Sequence, residues 1–258
     1  MNPPTITETQ LLDKNRHFYN SLWGGAQLVE AEKFNTWPLV SSLLNSGQRR
    51  LEVAPGLRPR LPIKETHFVD ISQPALDILQ ARGGSISSAS ICDLPFADQS
   101  FDLICALDII EHVDDDRTAL AELSRVAAEG ALLLISTPLH QELWTPFDDM
   151  VGHRRRYQPE AFITLLQEQG FSVKQSAVFG MKPKSSRLVD LGMRLLQRRP
   201  KRAFWWYNKI MPLTLRFQKK LKLVPGLLDT AAVSDIFLVC QRMAAKDGDD
   251  SVRNNGVG

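Results

Sequence analysis

The feature that most restricts how this chain can fold is an alternation: short runs rich in Val, Ile and Leu are separated by stretches whose apolar residues recur at helical spacing. Such runs suit strands buried on both faces, and strands joined through helices pair in parallel, so the pattern predicts βαβ units around a mostly parallel sheet. A helical region is expected over Ala26 to Leu44, then strands at Arg50 to Val53 and His67 to Asp70. Ser72 is placed to cap a helix opening with Pro74, where a missing N–H is harmless, and the Gly83-Gly84 pair ends it. Strands are expected near Ser85 to Ile91, Phe101 to Leu107 and Ala131 to Ser136. Between the last two, Thr118 to Val126 reads as a helix that sets Leu120, Leu123 and Ala127 on one face. A helix from Pro159 to Gln169, a sixth strand from Phe171 to Phe179 and a seventh from Asp235 to Gln241 complete the order.

With 258 residues and 43% hydrophobic content, one core accommodates all of these elements. A single domain is therefore expected over 1–243, opening with a helical segment at 1–46, and the small polar tail 244–258 is expected to be disordered. Cys92, Cys105 and Cys240 lie far apart with no Cys-x-x-Cys pair, which points to a reducing, cytoplasmic setting. Residues 1–10 show no basic start followed by an apolar run, so no signal peptide is expected, and no uncharged apolar stretch is long enough to span a bilayer.

The net charge of +2 conceals a division. Residues 181–232 hold 13 Lys and Arg against two acids, Asp190 and Asp229, leaving 18 basic and 27 acidic residues elsewhere. This basic segment carries helical spacing through Leu188, Leu191, Leu195 and Leu196, then Phe204-Trp205-Trp206-Tyr207 beside Lys201 and Arg202. An amphipathic insertion of that kind packs on the acidic body as a lid, covers a lipophilic substrate, or lies on an anionic membrane surface. Nucleic acid is the weakest reading, since no RNA-binding module is recognisable.

In open α/β sheets ligands bind beyond the carboxyl ends of the strands. The first such turn runs from Glu52 to Pro59 and holds one glycine, Gly56, so the dinucleotide fingerprint G-x-G-x-x-G is absent. Pro55 removes a backbone donor, and Pro59 with Pro62 disfavours a long helix before the second strand. Arg58 and Arg60 then become candidates to balance a ligand carboxylate. Asp70 ends the second strand, 18 positions after Glu52, where a carboxylate suits the two hydroxyls of a ribose. Asp93 follows the third strand and can reach an adenine amino group, with Leu94 covering the ring.

Three stretches now stand in order: Asp93 to Ile104, Ala106-Leu107-Asp108-Ile109-Ile110-Glu111-His112-Val113, and Glu122-Leu123-Ser124-Arg125-Val126. Together they resemble the class I S-adenosylmethionine-dependent methyltransferases, particularly the type 11 family, over about Arg50 to Val173. The resemblance implies a Rossmann-like, seven-stranded, mostly parallel sheet with an antiparallel last strand and the basic insertion before it. It implies S-adenosylmethionine as cofactor, bound by Glu52, Gly56, Asp70 and Asp93, with Ala54, Arg58, Ile71, Leu94 and Asp108 alongside. Ala54 and Arg58 stand where the family usually has glycine. The implied activity is methyl transfer to an O, N or C nucleophile of a small-molecule or lipid-like acceptor. The alternative is a catalytically inactive binding or scaffolding descendant of the fold.

Candidates for chemistry lie beyond the fourth and fifth strands. Asp108, Glu111 and His112 have the D-x-x-E-H spacing that some members of the wider class use for a divalent ion, with His153 as a further ligand; the plainer expectation is a polar turn with no metal. The loop after the fifth strand concentrates His140, Trp144, Asp148, Asp149, His153, Arg154, Arg155, Arg156 and Tyr157. Loops at this edge carry binding groups on a rigid scaffold. Asp149 or His153 is the expected base, His112, Trp144, Arg155 and Tyr157 the expected acceptor contacts, and Arg154 to Arg156 suit a phosphate or carboxylate.

Overall fold

A computed structural model describes residues 16, 19, 20, 23–180, 215 and 218–244. The first strand, β1 (Arg50–Val53), is buried along its length, as are most of β2 (Thr66–Asp70) and β4 (Phe101–Leu107). Burial of both faces is what the unbroken apolar runs demanded. With β3 (Ser85–Ser88), β5 (Ala127–Pro138), β6 (Phe171–Val178), β7 (Val224–Pro225) and β8 (Asp235–Arg242) they form one sheet in the order β3-β2-β1-β4-β5-β8-β6-β7. The first five strands in that order pair in parallel, whereas β8 runs antiparallel between β5 and β6. The seven expected strands are present, and the two-residue edge strand β7 adds an eighth from within the span assigned to the insertion.

Helices α1 (Trp37–Leu43), α2 (Gln73–Ala81), α3 (Asp116–Val126), α4 (Pro146–Val151) and α5 (Pro159–Glu168) cover the sheet. One apolar cluster joins Leu51, Ile104, Leu120, Leu123, Leu133, Phe162 and Leu238, and another joins Val40, Leu103, Leu134, Phe179 and Phe237. The sheet is thus sandwiched between two apolar layers.

Three local expectations change. The helix expected over Ala26 to Leu44 is broken, because Val29 N–H donates to the Leu57 carbonyl at 3.0 Å and draws the chain onto the loop after β1. A short 3-10 turn (Ala31–Lys33) follows, and α1 starts only at Trp37 with Pro38 in its first turn. Ser72 stands at the N-cap of α2, but its hydroxyl makes no cap bond; its N–H instead donates to Asp70 Oδ1 at 2.8 Å. A side-chain cap is present at α3, where Asp115 accepts from Thr118 N–H at 2.9 Å, and Ala127 leaves that helix to begin β5. Most of 181–232 and the tail beyond 244 lie outside the described residues, so the insertion and disorder expectations are not addressed there.

Leu134, fully buried in β5 between β4 and β8, tests this packing. Leu134→Ala is expected to cost about 2–5 kcal/mol in urea unfolding, against less than about 0.5 kcal/mol for Leu143→Ala at the surface.

Candidate functional site

Strand order reverses at β1, whose neighbours β2 and β4 lead the chain to opposite halves of the sheet, and a crevice opens at their carboxyl ends. The cavity there is walled by Val53 and Ala54 after β1, by Asp70 and Ile71 after β2, by Ala89 to Cys92 after β3, and by Ile109 and His112 to Asp114 after β4. Tyr19 closes it from the N-terminal segment.

Glu52 shapes the first wall. Its buried carboxylate accepts the N–H groups of Arg60 (2.8 and 3.0 Å) and Leu61 (2.9 Å), bending the chain back without a helix, as the prolines predicted. Burial pushes its carboxyl up to about 7, against the lowering effect of those N–H groups and of the Arg60 charge. The turn between them is left-handed at two positions, Ala54 (φ 55°) and Gly56 (φ 53°). Alanine therefore holds a conformation that glycine adopts at no steric cost. At Gly56 any Cβ would overlap the indole of Trp23.

Asp70, 6% exposed, accepts from Gly56 N–H at 2.9 Å and Ser72 N–H at 2.8 Å, one bond on each oxygen. It thereby ties the turn to the end of β2 while its carboxylate lines the cavity. Burial raises its pKa, opposed by the N–H groups of Ser72, Gly56 and Ile71. Arg58 lies with its guanidinium 5.7 Å from the Trp23 ring centroid, and Arg60 packs 3.6 Å over Phe34; neither guanidinium lines the cavity. Asp93 is exposed and Leu94 is core, its N–H donating to Glu122 at 2.8 Å, so the cavity wall after β3 is Ala89, Ser90, Ile91 and Cys92 instead. The side chain of Glu122 and the grip of Arg125 on Glu122, Asp98 and the Leu94 and Phe96 carbonyls fix the 93–98 loop.

Beyond β4, Asp108 is also left-handed (φ 51°) and accepts from the Ser136 hydroxyl at 2.7 Å, which anchors it to β5. Glu111 and His112 form a buried 3-10 turn. The His112 ring meets that of His153 edge-on at 4.7 Å, and the three side chains Glu111, His112 and His153 gather in one cluster. Burial, then the neighbouring His153 charge, depress His112 to about 3, so its imidazole is neutral.

His153 arrives there because Arg154 N–H donates to the Glu111 carbonyl at 2.7 Å. Its ring is held by Asp148, 2.8 Å from Nδ1, and that fully buried carboxylate also accepts from Thr145 and from both ends of the Arg156 fork. Burial alone would raise Asp148, but these donors bring it down to about 2. The expected base Asp149 is instead exposed, accepting from Trp144 Nε1 at 3.0 Å: on a helix adjacent residues face different ways, and the inward position belongs to Asp148. Arg155 and Tyr157, expected at the acceptor, bond to Asp116 and to carbonyls of 110–114, pinning the loop to the exit of β4. Of the expected acceptor contacts, His112 lines the cavity and Trp144, Arg155 and Tyr157 do not.

Tyr19 and Trp23 had no sequence signal. Their rings stack at 6.5 Å, and Tyr19 meets His112 edge-on at 6.1 Å. Burial, then the charges of Glu111, Asp70 and Asp108, push the Tyr19 hydroxyl above the usual phenol range.

Comparison with known proteins bears on the fold. Residues 51–135 match the family described as "Methyltransferase domain". Residues 51–135 are thus similar to a methyltransferase domain, and the chain shares the fold of a solved methyltransferase. It is 36% identical over 149 residues to O-methyltransferase resE of Aspergillus sclerotiorum, covering 50% of this chain and 56% of that enzyme. It is 39% identical over 51 residues to ajmaline N-methyltransferase of Rauvolfia serpentina, covering 20% of this chain and 18% of that one. The chain thus spans little more than half the length of the first of these relatives, and less of the second. Among solved structures, a SAM-dependent methyltransferase from Thermotoga maritima superposes with a TM-score of 0.55 at 17% identity, over 92% of this chain and 98% of that one. The (4+2)-cyclase SpnF gives 0.58 at 16% identity, over 94% and 98%. At such identities the likeness is one of fold.

The turn is left-handed at Ala54, although the residue there carries a Cβ. Ala54→Gly is therefore expected to raise stability by about 1 kcal/mol, the left-handed penalty of a Cβ less the entropy cost of glycine, as measured by the urea midpoint.

Proposed function

We propose that this chain transfers the methyl group of S-adenosylmethionine to an O, N or C nucleophile of a small-molecule or lipid-like acceptor. The observation that carries the reading is the Asp70 carboxylate, held by the left-handed turn at the mouth of a cavity formed where the strand order reverses. Each of its oxygens holds one backbone N–H. A carboxylate offers about four acceptor sites, more than its backbone partners fill, so acceptor capacity stays available for a ribose hydroxyl. Ile71 and Ile91 supply apolar walls suited to a purine, and His112 with Tyr19 bounds the opposite side. These residues fit the cofactor. When bound, it supplies a methyl group already activated on a sulfonium, so the protein's task is alignment of the acceptor and exclusion of water.

The second reading, a non-catalytic module on the same fold, is favoured by Ala54 in the glycine position and by Trp23 seated on Gly56. The existence of a cyclase on this fold is a reminder that architecture does not dictate reaction. Calorimetry with S-adenosylmethionine and S-adenosylhomocysteine separates the two: binding is expected, and none at millimolar ligand selects the module. Asp70→Ala is expected to weaken binding by about 1–3 kcal/mol, the loss of charged hydrogen bonds to a diol; wild-type affinity in that variant removes Asp70 from the site.

We also propose a cytoplasmic protein whose segment 181–232 engages an anionic membrane surface, on the support of its 13 basic against two acidic residues. Liposome sedimentation is expected to show binding that requires anionic lipid and fades with salt.

A further inference from the structure

We propose that Glu111, His112 and His153 form a binding site for a divalent transition-metal ion of the zinc class, beside the cavity, with Asp148 as the residue that orients His153. Each side chain offers one ligand atom, and the three atoms lie within 4.8 Å of one another. An ion about 2.0–2.2 Å from each ligand holds them about 3–4 Å apart, so the cluster needs only small side-chain shifts to close on one.

Three observations point to a cation rather than to a packed polar turn. First, His112 Nδ1 is buried and makes no hydrogen bond, on a residue 6% exposed that also lines the cavity. A ring nitrogen buried without a partner is costly, and a metal bond would remove that cost. Second, the Asp148 carboxylate lies 2.8 Å from His153 Nδ1 and fixes the ring so that Nε2 faces Glu111 Oε1, 3.7 Å away. Third, carboxylate, imidazole and ligand position stand in the series usual for metal-bound histidine, where an outer carboxylate fixes tautomer and ring angle. The outer carboxylate is itself immobilised, since Arg156 and Thr145 hold both of its oxygens.

The set differs from the D-x-x-E-H reading of the sequence. Asp108 is turned to Ser136, and His153, forty-one positions after His112, takes its place. Two imidazoles and one carboxylate suit zinc, cobalt, nickel or iron better than magnesium. Three protein ligands leave at least one position open, as in catalytic zinc sites. On the methyl-transfer reading, that position receives an acceptor hydroxyl. The hydroxyl releases its proton to solvent, its oxygen lone pair forms the new C–O bond, and the C–S bond breaks with its electron pair remaining on sulfur. Metal binding itself does not depend on that reading.

The experiment is titration of the full chain, freed of metal by chelator dialysis, with Co²⁺ followed by visible absorption, with Zn²⁺ as competitor. One equivalent of Co²⁺ displaced by Zn²⁺ is expected, with the signal lost in His112→Ala and His153→Ala. Asp148→Asn is expected to weaken Co²⁺ affinity about 10- to 100-fold. Melting curves of each variant without metal identify any that fail to fold, and for those His153→Gln replaces the alanine variant. No Co²⁺ absorption in the wild type, or full absorption in a folded His153 variant, overturns the proposal. Calorimetry with S-adenosylmethionine on the same samples keeps the two readings apart: Co²⁺ binding without cofactor binding upholds the metal site and removes the methyl transfer.

Discussion

The carboxyl edge of the sheet depends on one buried carboxylate. Glu52 accepts the backbone N–H groups of Arg60 and Leu61, and so returns the chain from β1 toward β2 through a segment whose prolines forbid the helix that would otherwise satisfy them. Burying a charge is costly unless hydrogen bonds compensate, which is why its carboxyl titrates near neutrality although three N–H contacts and the Arg60 guanidinium oppose the rise. The left-handed residues Ala54 and Gly56 follow from that return path, and Asp70 is placed by its bond to Gly56. A wall built by side-chain capping stands in for one built by a helix terminus.

A second buried carboxylate does the same for the loop beyond β5. Asp148 is a helix-capping residue through Thr145, the partner of a guanidinium through Arg156, and the orienting group of His153. Removing any one donor would leave the others around a charge in a dry environment, so the arrangement is rigid as a unit. Arg155 and Tyr157 extend it to Asp116 at the start of α3. The cluster of Arg154 to Arg156, which invites an anionic ligand when read along the chain, is in the described structure spent on the protein's own acids and carbonyls.

These two nodes meet across the cavity. Tyr19 and Trp23 bridge them, the indole on the Gly56 turn and the phenol against His112. Beside Asp70, the cavity is therefore lined by a neutral imidazole and a phenol.

Much of this was legible in the amino-acid sequence, and for a local reason. Strand and helix periodicity, the prolines at 55, 59 and 62, and an acid at the end of β2 are properties of neighbouring residues, and they predicted a parallel sheet with a helix-free first connection and Asp70 at its mouth. Other features were settled only by packing. Asp148 and Asp149 are chemically identical and adjacent, and which one faces inward is set by the angle at which α4 meets Arg156 and His153. Leu94 looked like a wall of the cavity, but Glu122 and Arg125 hold its loop so that the Leu94 side chain packs into the core. Tyr19, His112 and His153 are far apart along the chain and carry no shared motif, because their proximity arises from a backbone bond between Arg154 and Glu111 and from the docking of an N-terminal segment onto a glycine without a side chain. Local sequence determines which elements form and where a turn is obligatory; the orientation of one element on another, which no local pattern encodes, decides which polar groups share a buried site.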